Sequence, residues 1–337
     1  TDVSKTPTMA ILSLDLICIT TALTSQTKHQ HIRRFYSPIL LGILCRDMLW
    51  AHHINNGNTY KPLFLYLPYQ AVHVGNAPEA SHPEYANGQA PQWAIDKYAW
   101  VDDVNRRNLS AMITVMDDAV MNVTQSLKDN GMWDNTIFIF STDNGGPTTK
   151  GASNFPLRGG KATNWEGGLR GVGFVTSGNF ENVGIKFYGY INHALIHVSD
   201  WLPTLCEVAG CNLNGTQPLD GVSAWGAIAR NESSARTMIV HDICWTDMGG
   251  SCAENRRNRV AILNGDYKYL LGEDRTDRKP QLYNVILDVA ETTNLADKHP
   301  EIMHQFETMI IAKYNKTVVP ASDRDPVDPH SNPNLHG

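Results

Sequence analysis

NLSAMITVMDDAVMNVTQSLKDNGMWDNTIFIF, residues 108–140, changes its period part-way along. In the first two thirds Leu109, Met112, Ile113, Met116, Val120, Val123 and Leu127 recur at three- and four-residue steps with Asp, Asn and Lys between them, which predicts a helix with one apolar face. Asn130-Gly131 then offers a left-handed stop. TIFIF, residues 136–140, is a continuous apolar run suited to a strand covered on both faces, and PLFLYL at residues 62–67 reads the same way. Strand, helix, strand in one crossover makes the two strands parallel. The fold class this implies is α/β with a doubly wound sheet, whose ligands belong beyond the carboxyl ends of the strands. His73 follows one of those ends and Asp143 follows the other.

Outward from this core, GVGFV at residues 171–175 reads as a further short strand, and HVSDWLPTLCEVAG at residues 197–210 as a helix capped by Ser199 or Asp200 and stopped by Gly210. Beyond residue 235 the character shifts to RVAILNGDYKYLLG, QLYNVILD and EIMHQFETMIIAKY, a small antiparallel sheet with one helix, in which Asn264-Gly265 marks a hairpin. The expected organisation is an atypical N-terminal segment at residues 1–60, an α/β domain at 61–235, a small α+β subdomain at 236–318 and a loose Pro- and Asp-rich tail at 319–337. Residues 1–60 show no coherent period, and SPILLGILC at residues 37–45 reads as core or as noise.

A net charge of -6 with no long basic run argues against nucleic acid or anionic lipid as an obligatory partner. The longest apolar stretch, MAILSLDLICITTAL at residues 9–23, is short and carries Asp15, which makes it a poor membrane span and a poor signal peptide. Six cysteines are few for 337 residues. Cys206 and Cys211 lie five apart and Cys244 and Cys252 flank a Gly-Gly-Ser loop, spacings that permit local bridges or free thiols and match no C-x-x-C metal pair. Sequons at Asn108, Asn122, Asn214, Asn231 and Asn315 exceed the about three expected by chance and lean toward a secretory route.

Asp143 and Asn144 offer hard oxygens at a strand end, with Gly145-Gly146 letting the backbone turn behind them. Taken alone, Asp-Asn-Gly-Gly is a turn signal more often than a metal site. STDNGG followed by NFPLRGGKATNWEGGLRGVGFV at residues 154–175, with PLFLYL, Gln70 and His73 upstream, closely resembles the sulfatase family, nearest to its arylsulfatase B (N-acetylgalactosamine-4-sulfatase) group. The likeness runs in order over roughly residues 61–310, through HVSDWLPTL, NGTQPLDG and LYNVILDVAETTNLA. It implies a sulfatase and alkaline-phosphatase-like sheet, N-terminally incomplete, and hydrolysis of a sulfuric ester on a sulfated small molecule or glycan. It also implies a secretory, lysosomal or extracellular location. By resemblance, Asp143 and Asn144 match a pair that ligates Ca²⁺, Lys161 a lysine on the sulfate, and His73 a histidine near the leaving oxygen. Such cations suit negative charge that grows on the leaving oxygen as the S–O bond breaks. Arg158 and Arg170 are expected to brace the loop through carbonyls or Glu166, Trp165 to pack, and Asp102-Asp103 and Asp117-Asp118 to lie on helical surfaces.

The chain departs from the family in two places. The family's nucleophile is a formylglycine made from the first residue of C/S-x-P-x-R, and none of the six cysteines, nor any serine, stands in that motif. The consecutive Asp-Asp that completes the family's calcium site has no match in residues 1–60, where Asp15 is a faint echo. The expected calcium site is therefore weak, with half its ligands unmatched. The alternative function is a non-catalytic protein that binds sulfated glycans or a protein partner.

Overall fold

The computed structural model describes residues 8–13, 37–56, 62–73, 90–244, 259–273 and 279–314. They fall into two compact units, one running up to Asn154 and resuming at Arg170–Arg236, the other formed by Phe155–Leu169 with the residues from Thr237 onward.

The first unit is built on a four-stranded sheet of order β2-β1-β3-β4, with β1 Thr8–Ser13, β2 Phe64–Pro68, β3 Thr136–Ser141 and β4 Gly173–Thr176. β1 pairs in parallel with both β2 and β3, and β4 closes the β3 edge antiparallel. Alternation along β3 sends Phe138 and Phe140 to one face, where they pack with Leu65 and Leu67 of β2, Cys45 and Leu49 of helix α1 (Ser37–Asn56), and Met116, Ala119, Val123 and Leu127. The last four belong to helix α3, Val104–Asp129, which follows the short helix α2 at Gln92–Asp96. Ile137 and Ile139 point to the opposite face, onto Trp225, Ile228 and Ala229 of helix α6 (Trp225–Arg230) and Trp201, Leu205 and Val208 of helix α5 (Trp201–Ala209). Covering both faces is what makes TIFIF uniformly apolar.

Two stretches of the N-terminal sixty residues take regular structure. Thr8–Ser13 is an inner strand of the sheet, and SPILLGILC opens a 20-residue helix in its core. A six-residue strand paired on both sides, TMAILS, shows no alternation of apolar and polar residues by which to recognise it. α5 is entered through a short turn of its own. Asp200 holds the N-cap position of α5, as expected, but makes no side-chain capping bond to it; the capping bonds belong to the 3-10 turn Val198–Asp200 just ahead, where the His197 ring nitrogen accepts the Ser199 N–H at 3.4 Å and Asp200 accepts the His197 N–H at 2.8 Å.

The second unit carries an antiparallel sheet of order β5-β6-β7-β8: β5 Met238–Cys244, β6 Arg259–Asn264, β7 Tyr267–Leu271 and β8 Gln281–Asn284. Val260, Ile262, Tyr269, Leu271 and Leu282 face Phe306 and Ile310 of helix α7, Pro300–Tyr314. The other face, Ala261, Leu270 and Tyr283, is covered by Trp165. Asn264 pairs with Tyr267, so the hairpin turns on Gly265-Asp266, one residue later than Asn264-Gly265 suggests. That register keeps Val260, Ile262, Tyr269 and Leu271 on one face, and a one-residue slip would turn them out.

Candidate active site

Ser13, Pro68 and Ser141 are level with one another across β1, β2 and β3, and they define the carboxyl edge of the parallel strands. Asp143 stands exposed two residues beyond Ser141. Its Oδ1 accepts the Asn144 N–H at 2.8 Å, and the Asn144 amide donates to Gly145 O at 2.8 Å. The loop that follows is fastened on itself, Gly146 N–H donating to Asn154 Oδ1 at 2.9 Å and Asn154 Nδ2 to Gly146 O at 2.8 Å. Arg106 of α3 ties down its far end by donating to Gly151 O at 3.0 Å. His73 leaves the same edge from β2, on a turn closed by its N–H to Gln70 O at 2.9 Å, with β1 running between the two strands. Asp15 lies outside the described residues.

These residues do not by themselves fit calcium. Two side chains with hard oxygens stand at the β3 end, and no group of three or more His, Cys, Asp or Glu that could hold a metal occurs among the described residues. A stable calcium site needs about six to eight oxygens.

Lys161 belongs to the second unit, half-buried on the segment Phe155–Leu169. This segment is tied down heavily. Arg158 lies over the Trp165 ring at 3.7 Å and donates to Glu291 O at 3.0 Å, and Trp165 meets Tyr283 edge-on at 5.5 Å. The carbonyl of Glu291 is thus the brace for Arg158, and Trp165 packs as expected. The short helix α4, Glu166–Leu169, runs so close beneath the preceding turn that a Cβ on Gly168 would come within 2.3 Å of Thr163 O. Below it lies an ion cluster the sequence did not announce. Lys268 Nζ, with no exposed surface, sits 3.0 Å from Glu166 Oε1 and 2.8 Å from Glu291 Oε1, while Glu291 Oε2 accepts the Glu166 N–H at 2.7 Å. Burial pushes the Glu291 carboxyl above the usual range, against the pull of Lys268. The available signal was period: in YKYLL, Lys268 shares a face with Leu270, not with the tyrosines.

The paired acids have structural settings, Asp117-Asp118 on α3 and Asp102-Asp103 just ahead of it instead of on a helical surface. Asp103 caps the helix by accepting the Arg106 N–H at 2.7 Å, and burial, then the charge of Asp118, raises the Asp117 carboxyl. Among the sequons, Asn122, Asn214 and Asn231 are exposed and Asn108 is half-buried on α3, while Asn315 lies outside the described residues.

The family described as Sulfatase matches residues 24–211, and Arylsulfatase J of Mus musculus is 35% identical over 311 residues, 82% of this chain. The chain belongs to the sulfatase family. It spans about half the length of that relative, 49%. Among solved structures, one determined with a neocarrahexaose superposes with a TM-score of 0.65 at 23% identity, over 84% of this chain and 57% of the other. Another, determined with D-glucosamine-2-N,6-O-disulfate, gives 0.58 at 13% identity, over 96% and 81%. At such identities these likenesses speak for the fold: the sulfatase sheet, with a smaller antiparallel sheet and helix after it. No helix among the described residues is long and apolar enough to cross a membrane.

Proposed function

We propose that the protein acts on sulfuric esters of sugars, and that these 337 residues supply the part of the site that recognises the sulfate. The observation that carries this reading is membership of the sulfatase family together with Asp143-Asn144 and His73 at the carboxyl edge, where doubly wound sheets take their ligands. Lys161 meets a sulfate oxygen with its ammonium, and His73 donates a hydrogen bond, then a proton, to the leaving oxygen as the S–O bond lengthens. The substrate class, a sulfated glycan of the kind an N-acetylgalactosamine-4-sulfatase takes, and a secretory or lysosomal setting with glycans on the five sequons, belong to the same proposal. Calcium enters it only with oxygens from outside the described residues joining Asp143 and Asn144, and no step here runs through the ion.

A second reading is a protein that binds sulfated glycans without cleaving them. It is favoured by one observation, that no C/S-x-P-x-R motif occurs in the 337 residues. Hydrolysis of an aryl sulfate by the purified chain with added calcium, beside Lys161→Ala, separates the two. Turnover that Lys161→Ala abolishes supports hydrolysis with an attacking group other than formylglycine. Folded protein without turnover leaves the binding reading.

A further inference from the structure

The C-terminus of α5 brings two thiols together. Gly210 takes φ +67°, its N–H reaches Glu207 O at 3.4 Å, and the Cys211 N–H reaches Cys206 O at 2.9 Å. This pair of reversed bonds is the Schellman arrangement, in which the residue just past the glycine folds back against the side chain five positions earlier. That contact is ordinarily apolar. Here both partners are cysteines, and neither is in a disulfide. A disulfide tolerates little error in the separation and direction of its Cβ atoms, and a fixed cap whose backbone bonds fold these two positions toward each other limits that error.

We propose that Cys206 and Cys211 are a disulfide-forming pair, oxidised by a small-molecule or protein disulfide, whose bridge staples the C-terminal turn of α5. The helix is worth fastening, since its Trp201, Leu205 and Val208 cover the Ile137 and Ile139 face of β3. Cys211 is exposed and Cys206 half-buried, so Cys211 attacks first. Its thiolate displaces one thiolate from the incoming disulfide and leaves a mixed disulfide on Cys211. The Cys206 thiolate then attacks Cys211 Sγ and expels the second thiolate. The pair gives up two electrons and two protons, and the oxidant is reduced to two thiols. The hydrogen bond to Cys211, then burial, pushes the Cys206 thiol up to about 11, which makes the closing step faster as pH rises toward that value.

The test uses the whole chain, made without glycosylation and equilibrated with excess glutathione disulfide at pH 8. It is then blocked with N-ethylmaleimide and digested with trypsin. No Lys or Arg lies between Lys186 and Arg230, so both thiols fall in one peptide, residues 187–230. The expected product is that peptide without maleimide and lighter by two hydrogens than the dithiol form, becoming doubly labelled when the protein is reduced first. Cys206→Ser should leave Cys211 carrying a glutathione. Two maleimides or two glutathiones on the oxidised wild-type peptide, or a cross-link to a peptide holding any other cysteine, would overturn the proposal.

Discussion

Lys268 illustrates how a single residue escapes a reading of the sequence. It stands in a strand among Tyr and Leu, where a lysine ordinarily marks a solvated face, yet its partners Glu166 and Glu291 lie 102 and 23 positions away and only the folded chain unites them. One ammonium between two carboxylates leaves the buried cluster dependent on that cation. Lys268→Met is expected to lose about 3–5 kcal/mol of stability in urea unfolding, because two carboxylates would remain buried without it. The pH dependence has a definite sign. Glu291 is raised in the folded state, so its contribution is fully present below the unfolded value of about 4.3 and is lost as pH rises through the higher folded value. Glu291→Gln should remove that decline, and a series of urea midpoints across the acid range would show whether it does. The placing of His73 and Asp143 just past strand ends was more legible, since each follows a short apolar run suited to a strand.

At the scale of elements, legibility followed length and period. α3 shows seven apolar positions at helical steps and was readable almost to its ends, whereas β1 has six residues and no alternation. Caps divide the same way. Asp103 is a local signal, and Asp103→Ala is expected to cost about 0.5–2 kcal/mol in thermal or urea unfolding. Asp200 does more than its position at the head of α5 suggests. Buried, it accepts two bonds from Arg236, at 2.8 and 2.5 Å, and the N–H groups of His197 and Val222, tying α5 to segments 20 and more residues away. Burial would raise its carboxyl, and the bonds from Arg236, His197 and Val222 hold it below the ordinary range instead. The stability it contributes is therefore present above the unfolded value of about 3.9 and is lost as pH falls through the folded one. Asp200→Ala should destabilise the protein by about 3–5 kcal/mol at neutral pH, with a shrinking difference from wild type under acid.

For the molecule as a whole, the doubly wound sheet follows from two apolar strands and the helix between them, and the antiparallel sheet follows from the alternation of residues 259–284. The segment Phe155–Leu169 was the part least open to such reasoning. Its sequence carries the family pattern around Lys161, but its attachment to the antiparallel sheet rests on Trp165, Arg158 and Glu166, whose partners are all distant in sequence. That attachment suits the role proposed for Lys161, an ammonium held in place for an anion. Calorimetric titration of the folded chain with a sulfated N-acetylgalactosamine and with its unsulfated counterpart tests this most directly. Sulfate-dependent binding that weakens with salt and falls about 10- to 100-fold in Lys161→Ala, the loss expected for one charge-assisted contact, is the predicted result. Equal affinity for the two sugars, or affinity untouched by Lys161→Ala, would contradict it.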